Sequence, residues 1–130
     1  MRAILKGMKQ NRARSKNHQS GQINWTNVLL DQIRLAKLPS PQLEYIFHAN
    51  RQWRFDISWK QHLVACEIEG GIWMKTAKGY SKGHAHPIRF EKDLEKYNEA
   101  ALYGWTVIRV TPQMVRDGRA IEWLERALLD

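Results

Sequence analysis

Three acids stand close together in FDISWKQHLVACEIEGG, residues 55–71: Asp56, then Glu67 and Glu69 two positions apart. Clustered carboxylates suit one chemistry above others, the holding of a hard divalent cation through oxygen. Side chains alternate along a strand, so Ala65, Glu67 and Glu69 share one face, while Val64, Cys66 and Ile68 form an apolar face that belongs against the core. A two-residue hairpin at Lys60-Gln61 would pair Trp59 with His62, Asp56 with Ala65 and Arg54 with Glu67. Asp56 then lies diagonal to Glu67 on one face, about 7–8 Å away. Without a cation, acids converging on such a face repel one another and raise their own pKa values, which makes Mg²⁺ or Mn²⁺ the natural neutraliser. Asp56, Glu67 and Glu69 are therefore the candidate metal ligands. The same spacing also describes acids on a solvated sheet face, with Arg54 as a partner.

Several elements must position these side chains. NWTNVLLDQIRLAKL sets Trp25, Leu29, Ile33 and Ala36 on one helical stripe, with Asn24 as a cap and Pro39 and Pro41 beyond the end. From Leu43 the pattern turns extended, and LEYIFHA, QWRFDISW and HLVACEIE predict a three-stranded antiparallel meander with turns at Asn50-Arg51 and Lys60-Gln61. Residues 70–86, GGIWMKTAKGYSKGHAH, hold three Lys, four Gly and no acid, and predict a mobile cationic loop. Pro87 opens a helix to about Tyr103, with Phe90, Leu94, Tyr97 and Ala101 on its apolar stripe and Gly104 as its stop. WTVIRVT, residues 105–111, is a strand by its β-branched content. After Gly118 a last helix carries Ile121, Leu124 and Leu128 on one face. The order of helix, meander, helix, strand and helix predicts a layered α/β domain.

Composition bounds what that domain meets. A chain of 130 residues, 43% hydrophobic and with six Trp, is long enough for one real core and too short for two. The net charge of +8 favours a polyanionic partner such as nucleic acid. Six of those eight charges lie in residues 1–20, at Arg2, Lys6, Lys9, Arg12, Arg14 and Lys16, with no acid among them. That segment reads as a flexible basic tail ahead of a single domain at 21–130, either an arm on DNA or a solubilising terminus. The single Cys66 excludes an internal disulfide and a zinc site built on several cysteines, and fits a reducing cytoplasm. No apolar run reaches membrane-spanning length, and the N-terminus lacks a signal-peptide core.

WRFDISW, EIEGGIW, EKYNEAALYGWTVIRVT and the closing helix, over roughly residues 43–129, resemble the PD-(D/E)XK nuclease superfamily, in particular small phage and bacterial members related to very-short-patch-repair-type endonucleases. The resemblance implies a restriction-endonuclease-like core, a mixed sheet of about four strands flanked by helices. Asp56 takes the place of the family Asp, with Phe55 where Pro is frequent, and Glu67 takes the second acidic place with ten residues between. Glu69 falls where a Lys is expected, a position at which related branches carry an acid that ligates the metal. EKYN recurs in the proteins this chain resembles and makes Lys96 the candidate for a relocated catalytic cation. The implied activity is Mg²⁺- or Mn²⁺-dependent hydrolysis of DNA phosphodiester bonds, with Asp56, Glu67, Glu69 and Lys96 as catalytic residues and one or two metal ions. A phage or mobile-element setting and a cytoplasmic location follow.

DNA would be held first through its phosphates by Lys75, Lys78, Lys82, His84, Arg12 and Arg14. His84 and His86 in HAH can also offer two rings to a metal, although a phosphate contact suits a cationic loop better. Trp53, Trp59 and Trp73 flank the acidic strands as core residues or as platforms for unpaired bases, with Trp73 the first to test. Glu44 is a further acid upstream, either part of the cluster or an exposed strand residue. A binding module without catalysis would use the basic segments and leave the acidic face idle. A branched-DNA resolvase would share the chemistry and require a homodimer.

Overall fold

The computed structural model describes residues 22–70, 75–76, 79–80 and 87–129. Helix α1 (Trp25–Leu35) begins where the Asn24 side chain accepts the Asn27 amide at 3.1 Å, and it buries Leu29 and Ile33. Strands β1 (Gln42–Ile46), β2 (Arg54–Trp59) and β3 (Val64–Ile68) form the antiparallel meander. Lys75–Thr76 (β4) and Gly79–Tyr80 (β5) pair as a small separate ladder inside the stretch expected to be loop. Helix α2 (Pro87–Leu102) crosses over to β6 (Thr106–Val110), which joins β3 in parallel. Helices α3 (Pro112–Arg116) and α4 (Arg119–Leu129) close the chain. The result is an α/β fold around a four-stranded mixed sheet in the order β1-β2-β3-β6, flanked by helices.

Both faces of the sheet are covered. Ile57, Trp59, Val64, Cys66 and Val110 pack on one side against Leu29 and Ile33 of α1, Val115 of α3, and Ala120, Leu124 and Leu128 of α4. A smaller cluster of Phe47, Phe55, Ala65, Ala100 and Trp105 joins the other side to α2. Strict alternation would put Phe55 and Ile57 on the same face, yet they belong to opposite clusters. The break falls at Asp56, across from Glu44, whose φ of 53° leaves it out of the ladder between Leu43↔Ile57 and Tyr45↔Phe55.

Two expectations are corrected here. The β2–β3 turn is not a two-residue hairpin: Lys60–His62 form a 3₁₀ turn and Leu63 adopts a left-handed conformation at φ 54°, so Trp59 pairs with Val64. This moves the register by two residues. Continued from Ile57↔Cys66, it sets Asp56 directly across from Glu67, where a two-residue hairpin would place Ala65. Helix α2 is also rotated from its expected phase. Phe90, Leu94 and Ala101 are exposed, and contact with the sheet comes from Lys96, Tyr97 and Ala100. Only the last turns of α2 reach the sheet, and there a small Ala lets the helix approach closely. Gly104, at φ 89°, then turns the chain into β6, as its place after the helix predicts.

Candidate functional site

Glu67 is 6% exposed, one of two buried polar residues in the described structure, and such a charge costs several kcal/mol unless it is matched. Three donors match it. The Asp56 amide donates to Oε2 at 2.9 Å, while Lys96 Nζ at 2.7 Å and the Tyr97 phenol at 2.6 Å both donate to Oε1. The Lys96–Glu67 pair is nearly enclosed, with side chains 14% and 8% exposed, so water screens it little. Burial, followed by the charge of Glu67, holds the Tyr97 phenol far above its ordinary range, which keeps it a donor.

Asp56 answers Glu67 from the neighbouring strand. Its Oδ2 accepts the Ile68 amide at 3.0 Å, so each carboxylate occupies a backbone N–H of the opposite strand. Burial raises the Asp56 pKa above the ordinary carboxylate value, and the charges of Glu67 and then Glu44 add to the rise. The Ile68 amide and Lys96 oppose it. Glu44 itself is exposed, and it acts on Asp56 through its charge alone. Directly behind, burial pushes the Cys66 thiol up to about 12, with Asp56 and Glu67 contributing, so it is an inert core residue.

Glu69 goes elsewhere. Its two oxygens accept Nε and Nη2 of Arg109, a fork-to-fork pair that also raises the Arg109 pKa. The Arg109 guanidinium lies 4.0 Å above the Tyr97 ring. The parallel register Glu67↔Arg109 brings this arginine alongside the site. Of the sequence-derived set, the structure therefore brings together Asp56, Glu67 and Lys96 and places Glu69 on Arg109. Among the described residues no group of three or more His, Cys, Asp and Glu stands ready for a metal ion. Tyr97 and Arg109 are the additions. The helical pattern assigns Tyr97 to the apolar stripe, and only the β3–β6 pairing connects residue 109 to residue 67.

The remaining described candidates, Trp53, Trp59, His48 and His62, lie apart. Arg12, Arg14, Trp73, Lys78, Lys82, His84 and His86 are outside the described residues, and Lys75 opens β4. Trp59 is core, its Nε1 donating to the Pro39 carbonyl at 2.7 Å. Trp53 is half-buried with the Arg51 guanidinium 4.1 Å above its ring. His48 packs beside Tyr103 and meets Glu99 at 2.9 Å, and His62 lies exposed in the turn.

Fold and site together define an α/β protein with two latched acids and an enclosed lysine and tyrosine at one sheet face. Two uncharacterised proteins of Mycobacterium tuberculosis, from strains CDC 1551/Oshkosh and H37Rv, are each 28% identical to this chain over 81 residues, which is 61% of this chain and 26% of theirs. The chain thus spans about a quarter of the length of the curated relatives it matches. No family model matches the chain, and no solved structure does. No helix among the described residues is long and apolar enough to cross a membrane.

Proposed function

We propose that the protein is a metal-dependent DNA endonuclease of the PD-(D/E)XK type, with a restriction-endonuclease-like core, that hydrolyses phosphodiester bonds in the cytoplasm in a phage or mobile-element setting. The observation that carries this reading is the Asp56–Glu67 latch, with Lys96 Nζ 2.7 Å from Glu67. Burial raises the Asp56 pKa and the Glu67 carboxylate beside it raises it further, a combination that clusters at functional sites.

The donor set suits Mg²⁺ or Mn²⁺. Both acids offer oxygen, and Mg²⁺ is commonly held by one or two carboxylates together with water and substrate phosphate, so a third acid is not needed. Asp56 and Glu67 would hold the ion, and Glu69 would stay with Arg109. A bound divalent ion supplies charge neutralisation at the phosphate and a more acidic water.

The chain's own residues do the rest. Backbone amides at Asp56 and Ile68 fix the two carboxylates, so their geometry does not await substrate. Tyr97 holds Glu67 Oε1 in place. Lys96 uses one of its three N–H groups on that oxygen and has others to orient an attacking water or a phosphate oxygen. It would thus supply from α2 the cation that the family pattern sets at position 69. Lys75, Lys78, Lys82, His84, Arg12 and Arg14 would hold DNA through its phosphates.

Plasmid nicking tests the proposal. Wild-type protein should cut with Mg²⁺ or Mn²⁺, stop with EDTA, and lose cutting in Asp56→Ala and Glu67→Ala. Equal residual cutting in both variants would end the enzyme reading and leave a binding module.

A further inference from the structure

Along the first half of α2, residues 88–95 are all exposed, and burial begins at Lys96. Arg89 and Lys92 precede Lys96 by seven and four positions, so the three cations stack on one side of the helix. Lys96, at the inner end, marks where that side points, because its ammonium reaches Glu67. From Arg89 to Lys96 the helix rises about 10 Å. That is roughly three steps of a B-form strand at 3.4 Å each.

Three of the four acids of α2 have basic partners off this line, and the fourth, Glu91, is exposed at a helical phase away from it. Asp93 acts on Arg109, Glu95 stands 3.9 Å from Arg51, and Glu99 holds His48 at 2.9 Å. Like charges one turn apart work against a helix. Neither Arg89 nor Lys92 forms an ion pair with another described residue. A row of exposed cations that ends at two acids and an enclosed lysine is complementary to a polyanion running toward that point.

We propose that Arg89 and Lys92 form a docking stripe on α2 for DNA backbone phosphates, up to about three nucleotides from the phosphate at the Asp56–Glu67 site. The placement of that phosphate rests on the endonuclease reading, whereas binding by the stripe does not. Contacts of this kind position the duplex and read no sequence.

The test is the salt dependence of binding to a fluorescein-labelled 20-base-pair duplex, followed by anisotropy in EDTA, where no cutting interferes. The pair Arg89→Ala/Lys92→Ala should reduce the slope of log K against log salt by about 1.8, at about 0.9 for each phosphate no longer neutralised, and equally for unrelated sequences. The pair Arg116→Ala/Arg126→Ala, on helices of the opposite layer, should leave the slope unchanged. An unaltered slope in the first pair, an equal fall in both pairs, or no duplex binding by wild type overturns the stripe. A reduced slope in a protein that never nicks plasmid keeps the stripe and removes the nuclease. Normal nicking with an unaltered slope does the reverse.

Discussion

Asp56 and Glu67 are locked by a reciprocal exchange across two strands: the Asp56 amide donates to Glu67 Oε2 at 2.9 Å, and the amide after Glu67, that of Ile68, donates to Asp56 Oδ2 at 3.0 Å. Each carboxylate thus takes an N–H on the opposite strand. The exchange holds two like charges together where repulsion alone would turn one of them away.

Burial of Asp56, together with that repulsion, sets the first prediction. With its pKa raised in the fold, Asp56 binds a proton more tightly folded than unfolded, so its contribution to stability is favourable in acid and is lost as pH rises through the folded pKa. At neutral pH the ionised acid is a burden. Asp56→Asn keeps an oxygen for the Ile68 amide and removes the charge, so it should melt at a higher temperature than wild type near pH 7, by roughly 4 °C for each kcal/mol relieved. It should also cut no DNA. Calorimetry paired with plasmid nicking checks both, and a lower melting temperature would contradict the account of Asp56.

The acid limb of cleavage should report the same group. Metal binding must displace the proton from Asp56, so at sub-saturating Mg²⁺ activity should fall on acidification at a pH above the ordinary Asp range. Glu44→Gln removes a charge that raises Asp56, and the limb should move to lower pH. A pH–rate profile under single-turnover conditions measures it. A limb that stays in place means Glu44 does not reach Asp56.

Lys96 and Glu67 should behave as a coupled pair. Lys96→Met strands a buried carboxylate, and Glu67→Gln strands an enclosed ammonium, each at about 3–5 kcal/mol. The double variant should lose clearly less than the sum of the two. Urea unfolding of the four proteins gives the coupling, and additive losses would show that the pair is not a unit.

Glu69→Gln separates a two-acid site from a three-acid one. Its partner Arg109 is half-exposed, so stability should change by less than about 1 kcal/mol. Mn²⁺ affinity by titration calorimetry should stay within about threefold of wild type, against a loss of at least about tenfold in Glu67→Gln. Equal losses in the two variants would return Glu69 to the metal.

The sequence by itself determined what local chemistry can determine. The Asn24 cap and the Leu29/Ile33 stripe specify α1, Pro87 and Gly104 bracket α2, and β-branched residues mark β6, because caps, fixed φ and side-chain branching act within a few residues. It also brought Asp56, Glu67 and Lys96 forward, through their spacing and a family likeness. Tertiary structure decided the rest. A left-handed Leu63 set the β2–β3 register that puts Asp56 opposite Glu67, and no local preference announces such a conformation in a leucine. The phase of α2 followed the need to bring a small Ala100 against the sheet, which overrode a more apolar stripe. Arg109 met Glu69 and Tyr97 only because β6 pairs with β3 across 40 positions, and a contact between distant segments is fixed by the packing of the whole sheet, not by either segment alone.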